Sequence, residues 1–89
     1  MLKLKLTSSF KRDLKACNKR HYDLSLLESV VNTLRIPAPL DEKHKDHKLE
    51  GKFKGYRDCH VLDDWILIYR ADEECLTLYR TGTHSDIFQ

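Results

Sequence analysis

Long hydrophobic runs are missing from this chain of 89 residues. No stretch approaches the roughly 20 apolar residues that a membrane-spanning helix needs. The opening Met-Leu-Lys-Leu-Lys-Leu alternates and has no continuous apolar stretch of the kind a signal peptide carries. Cysteine is scarce: Cys17, Cys59 and Cys75 are odd in number and unpatterned, which argues against a disulfide framework and against a zinc knuckle. Glycine (3) and proline (2) are also few, and no repeat, linker or low-complexity segment is present. These absences point to a protein of a reducing, cytoplasmic setting with no membrane association.

What is present fits an ordinary globular domain. Hydrophobic residues make up 40% and charged residues 34%, a balance that excludes intrinsic disorder. A chain this short forms one domain, here residues 1–89, and buries only about 60–65% of its unfolded surface. Net charge is +2, unevenly spread. Residues 1–60 hold 14 Lys/Arg against 8 Asp/Glu, and residues 61–89 hold 2 against 6. A basic segment suits an anionic partner, nucleic acid or acidic protein, although a solvated lysine-rich face reads the same way.

Leu2, Leu4 and Leu6 alternate with Lys3 and Lys5, the pattern of a half-buried strand with its leucines inward. Thr7, Ser8 and Ser9 offer N-cap oxygens ahead of Phe10, Leu14 and Cys17, which recur at helical spacing. That first helix carries Lys11, Arg12, Lys15, Lys19 and Arg20 on its outer face. Asp23, or a capping box of Ser25 with Glu28, starts a second helix with the core stripe Leu24, Leu27, Val30, Val31, Leu34. Pro37 and Pro39 end it.

Residues 40–54 read as a polar loop leading into a short strand near Leu49–Phe53. In Tyr56–Val61 alternation puts Cys59 and Val61 on one face, Asp58 and His60 on the other. After the turn Leu62-Asp63-Asp64, Trp65–Arg70 is apolar on both faces, as a central strand should be. Cys75–Thr81 is the last strand, and Gly82–Ser85 reads as an exposed turn. The fold class is therefore α+β in the order β-α-α-β-β-β(-β): a helical hairpin packed on one face of a small, mainly antiparallel twisted sheet, the other face open. Strict alternation places Arg80 on the core face unless a bulge releases it.

The residues able to do chemistry gather at the strand ends. His60 and His84 can act as base and acid around a phosphodiester, since unperturbed imidazole titrates near pH 6.5. Arg80 can hold the phosphate, and Asp64 can orient a histidine or take a proton. RNA supplies its own 2′-hydroxyl nucleophile, so no metal-activated water is needed and no cofactor is implied. The plainer reading is a set of scattered surface histidines. His44-x-x-His47 loosely matches metal-ligand spacing, with His60 or Asp64 to complete a site, but the surrounding lysines repel cations. Trp65 is either core or a stacking ring, and Phe88 either staples the tail or stacks on a base.

His47-Lys48-Leu49-Glu50-Gly51, Lys54-Gly55-Tyr56-Arg57-Asp58-Cys59-His60, Asp64-Trp65-Ile66-Leu67-Ile68-Tyr69 and Arg80-Thr81-Gly82-Thr83-His84 with Phe88 closely resemble the YafQ branch of the RelE/ParE toxin superfamily. The resemblance implies a RelE-like microbial RNase fold and the toxin of a bacterial type II toxin–antitoxin module, a metal-independent endoribonuclease that cuts mRNA at the ribosome. The positions matching the family's site are His47, His60, Asp64, Trp65, Arg80, His84 and Phe88. By that carry-over His84 is the general acid, Arg80 clamps the phosphate, and His47, His60 and Asp64 are candidates for activating the 2′-hydroxyl. Lys52, Lys54 and Arg57 add charge for the RNA, with Trp65 and Phe88 as stacking rings. The implied partners are mRNA, the ribosome and a cognate antitoxin of ribbon-helix-helix type with an acidic C-terminal segment; operator DNA is reached only through the antitoxin complex. ParE-type relatives, which poison gyrase without cutting RNA, are the alternative, and a co-repressor acting with its antitoxin is another.

Overall fold

A computed structural model describes residues 1–89. Its middle is the run Trp65–Tyr69, apolar at every position and therefore in need of cover on both faces. This run opens β4 (Trp65–Ala71), which lies between β3 (Arg57–Leu62) and β5 (Cys75–Thr83). β1 (Lys3–Leu6) and β2 (His47–Lys48) flank them, giving the order β1-β5-β4-β3-β2. Pairing is antiparallel throughout except β1 with β5, which is parallel. Two helices, α1 (Ser8–Lys19) and α2 (Leu24–Arg35), make the crossover from β1. No helix is long and apolar enough to cross a membrane.

The helical hairpin covers one face. Phe10 and Cys17 of α1 and Leu27, Val30, Val31 and Leu34 of α2 pack on Cys59, Val61, Leu67, Leu76 and Leu78. Thr7 caps α1 by accepting from the Phe10 N–H at 3.0 Å. Asp23, rather than the alternative Ser25–Glu28 box, caps α2 through the Ser25 N–H at 3.1 Å. Truncating a side chain such as Leu27 in this layer would cost about 2–5 kcal/mol.

The structure corrects several local expectations. The second face is not open. Ile66 and Ile68 are fully buried there beneath Ile87, Leu49, Phe53, Tyr56 and Tyr79. The cover comes from residues 49–56 and from a short third helix, α3 (His84–Phe88), which stands where an exposed turn was expected. β5 runs two residues further than the sequence suggested, and Thr83 caps α3 directly. The strand expected near 49–53 is instead the two-residue β2, because His47 and Lys48 pair with Asp58 and Arg57. A single 3₁₀ turn follows at Gly51–Phe53, and Gly51 adopts φ +64 to start it. Leu2, just ahead of β1, is buried, whereas Leu4 and Leu6 within the strand remain 40% and 38% exposed on the sheet edge.

The difficulty over Arg80 is resolved by a bulge. Pairing runs Ile68 with Arg80 but Tyr69 with Leu78, so Tyr79 is the extra residue. Beyond it Arg80 shares the row of Ile68 and leaves the face of Leu76 and Leu78.

Candidate active site

Cross-strand partners share a face, so the register alone assembles the site. One row across the sheet is His47, Asp58, Ile68, Arg80, and the next is His60, Ile66, Gly82. Both rows lie on the α3 side. His84 follows immediately, as the first residue of α3. The turn between β3 and β4 brings in Asp64, aided by Asp63 at φ +48.

Hydrogen bonds fix which nitrogen each histidine presents. His60 Nδ1 donates to the Asp63 carbonyl at 3.0 Å, and His47 Nδ1 donates to the Lys45 carbonyl at 2.7 Å. A carbonyl can only accept, so Nδ1 carries the proton and Nε2 is left with its lone pair. His84 Nδ1 is bonded to the Asp64 carboxylate, whose Oδ1 also accepts the His84 backbone N–H at 3.2 Å. Both bonds hold the Asp64 carboxyl below the usual carboxylate range. The His60 and His84 rings lie 5.4 Å apart between centroids, inclined at 56°. Phe88, 43% exposed, stands 6.0 Å from His84 and meets Phe53 edge-on at 5.3 Å.

Asp58 is a member of this group that sequence reasoning passed over. It is 2% exposed, and its Oδ1 has no hydrogen-bond partner. Burial pushes its carboxyl above the ordinary value, while His47, His60 and His84 pull it back. His47 Nε2 lies 4.0 Å from Asp58 Oδ2. The signal was available: alternation had already put Asp58 beside His60. Burial of Asp58 was not readable without knowing that residues 49–56 fold over that face of the sheet.

The remaining candidates separate. Arg80 is bound by Asp13 of α1, Nε to Oδ2 at 2.6 Å and Nη2 to Oδ1 at 3.1 Å, leaving Nη1 without a partner. Asp13, another residue without a distinguishing sequence signal, also accepts the Thr81 N–H at 3.1 Å. Trp65 lies in the core in this structure: it is 5% exposed, packs on Tyr22 at 4.9 Å, and donates from Nε1 to Thr81 Oγ1 at 2.9 Å. Arg57 pairs in register with Tyr69 on the helix side and is held by Asp46 at 3.1 Å, away from the histidines. Lys52 and Lys54 are exposed. Lys54 lines a cleft of about 470 Å³ with Lys48, Tyr56 and Arg70. His44 donates Nδ1 to the His60 carbonyl at 2.6 Å, whereas His47 donates to the Lys45 carbonyl. No group of three or more His, Cys, Asp or Glu is arranged to hold a metal ion.

Residues 2–89 match the family described as the bacterial toxin of type II toxin–antitoxin systems, YafQ. The chain belongs to the YafQ toxin family. It is 41% identical over 90 aligned positions to the mRNA interferase toxin YafQ of Escherichia coli, covering 96% of this chain and 94% of that protein. The crystal structure of the E. coli DinJ–YafQ toxin–antitoxin complex superposes with a TM-score of 0.91 at 39% identity, over 99% of this chain and 98% of the other. A metal-bound toxin from Helicobacter pylori gives a TM-score of 0.92 at 41% identity, over 99% and 100%. The α+β architecture expected from the sequence is thus the YafQ fold over its whole length. In this YafQ-family chain the sheet register places the His47–Asp58 and His60 rows next to α3, and α3 brings His84 and Phe88 to them.

Proposed function

We propose that residues 1–89 act as one toxin domain that is neutralised by an antitoxin and cuts mRNA in the cytoplasm by intramolecular 2′-hydroxyl attack. The observation that carries the reading is the facing pair His60 and His84, both with Nδ1 engaged and Nε2 left for substrate. A base and an acid on two sides of one phosphate are what transesterification of RNA requires. His60 Nε2, or His47 Nε2 beside it, takes the proton from the 2′-hydroxyl. The freed oxygen attacks phosphorus, and the bond from phosphorus to the 5′-oxygen breaks. His84 Nε2 delivers a proton to that departing oxygen, leaving a 2′,3′-cyclic phosphate and a 5′-hydroxyl. Asp64 orients His84 and keeps its ring charged until the proton passes to the departing oxygen. Asp58 supplies negative charge beneath the histidines. Arg80 Nη1 donates to a phosphate oxygen while Asp13, bonded to the other two nitrogens, keeps the guanidinium oriented. Phe88 offers its exposed face to a base.

The substrate grip is thin, which supports a ribosome as the partner that presents the message. The outer face of α1, with Lys11, Arg12 and Lys15, suits rRNA phosphates. The antitoxin complementary to this surface is a ribbon-helix-helix protein with an acidic C-terminal segment, and operator DNA is met only through that complex. A translated message and free RNA, incubated separately with the protein, test the reading. Cuts ending in 2′,3′-cyclic phosphate are expected, with free RNA cut equally in excess EDTA. Ends bearing 3′-hydroxyl, or dependence on added metal, would overturn the mechanism. Intact RNA together with gyrase inhibition would establish the ParE-like alternative.

A further inference from the structure

α3 has five residues, and helices shorter than about 12–15 residues are marginal by themselves in water. Yet its first residue is His84 and its last is Phe88. A helix this short keeps its place only through outside contacts. Ile87, buried against Ile66 and Ile68, anchors one side. The N-terminal end is held differently, through Asp86. Asp86 Oδ2 accepts the Thr83 N–H at 2.9 Å, and Thr83 Oγ1 accepts the Asp86 N–H at 3.1 Å, closing a reciprocal cap. The same carboxylate receives both arms of Arg20 from the end of α1, Nη1 to Oδ2 at 2.7 Å and Nη2 to Oδ1 at 3.2 Å. Gly82 lies directly beneath: a Cβ there would stand 2.9 Å from Asp86 Oδ2, at φ +147. Cap, ion pair and close backbone approach therefore converge on one carboxylate, two residues beyond His84.

We infer that Arg20 and Asp86 are positioning residues for His84: the α1 guanidinium locks the α3 cap and so holds the imidazole at its distance from His60. This inference rests on the reading of His84 as the acid. Arg20 itself touches none of the reacting groups; it binds Asp86 and lies 5.9 Å from the Tyr22 ring centroid. Its planar two-armed geometry matches a carboxylate, which a single ammonium reproduces only in part. Asp64 holds the His84 side chain while Asp86 holds the backbone that carries it, and the two constraints together leave the ring little freedom.

Arg20→Gln and Arg20→Lys in the full chain test this with and without RNA. Without RNA, amide exchange at Ile87 and Phe88 and the NMR signals of the His84 ring report whether α3 is still held. Arg20→Gln should speed that exchange and move the His84 signals towards those of a flexible histidine, while core amides of β4 stay protected. With ribosome-bound message, kcat should fall about 10- to 100-fold, the range expected when a reacting group is misplaced by about an ångström. KM should stay within about twofold, since no binding contact is lost. The basic limb of the pH–rate profile should shift, and Arg20→Lys should recover only part of kcat, since one ammonium replaces two donor arms. A raised KM at unchanged kcat would overturn the inference by making Arg20 an RNA contact. Lost activity with unaltered exchange in α3 would overturn it equally. If the parental chain cuts no RNA, the functional reading fails, and the RNA-free measurements still decide whether Arg20 holds α3.

Discussion

Replacing Trp65 by Phe separates a ring that reads RNA from one that builds the core. The structure puts the indole inside: it is 5% exposed, with Nε1 donating to Thr81 Oγ1 at 2.9 Å. Thr81 Oγ1 in turn donates to the Ile66 carbonyl at 2.8 Å, so the hydroxyl joins β4 to β5 from below. Phenylalanine removes one neutral hydrogen bond, worth about 1 kcal/mol net. It also leaves a void on the order of 40 Å³, which at ~24 cal/mol per Å³ adds about 1 kcal/mol. The contact with Tyr22 at 4.9 Å survives in part. A total of about 2 kcal/mol corresponds to a fall in Tm of roughly 8–16 °C for a domain of this size. Thermal unfolding followed by circular dichroism measures that fall, and cleavage of ribosome-bound message well below the transition measures function. The variant should melt early yet cleave with a parental KM. An unchanged Tm with a raised KM would refute the argument and return Trp65 to the RNA path.

His84→Ala should lower cleavage about 10²–10⁴-fold, the usual worth of a general acid, with far-UV circular dichroism unchanged because the Thr83 cap and Ile87 anchor remain; parental rates in the variant would sink the assignment of the acid. Asp58 should make stability depend on pH. Its folded carboxyl is raised above the ordinary 3.8 by burial, so its contribution is complete below that pH and is lost as pH rises through the elevated folded value. Asp58→Asn should therefore gain in Tm relative to the parent as pH climbs through that window, while losing activity; parallel Tm curves would count against an ionising Asp58. Reversing the charges of Lys11, Arg12 and Lys15 should weaken cleavage of translated message far more than of free RNA, because ribosomal docking depends on phosphate contacts; equal losses on both substrates would place the patch at the RNA strand itself.

The elements were legible because period and capping are local properties. The stripe Leu27, Val30, Val31, Leu34 specified a helix and its buried side, and Asp23 specified where it begins. The doubly apolar Trp65–Tyr69 specified the central strand, and alternation put His60 opposite Cys59 and Val61. The motif residues likewise carried the family by themselves. The tertiary structure decided what depends on pairing register and on segments distant in sequence. Whether Arg80 lies inward turned on one extra residue, Tyr79, in the β4–β5 ladder. Trp65 could have gone either way until Tyr22 and Thr81 were seen to enclose it. The second face looked open because its cover, residues 49–56 and the short α3, has no periodicity of its own to announce it. Asp58 became a buried charge among histidines only when that cover closed over it. Local chemistry determines which residues can form a strand or move a proton; only the folded chain sets which of them share a row, because a one-residue change of register sends every side chain of a strand to the opposite face.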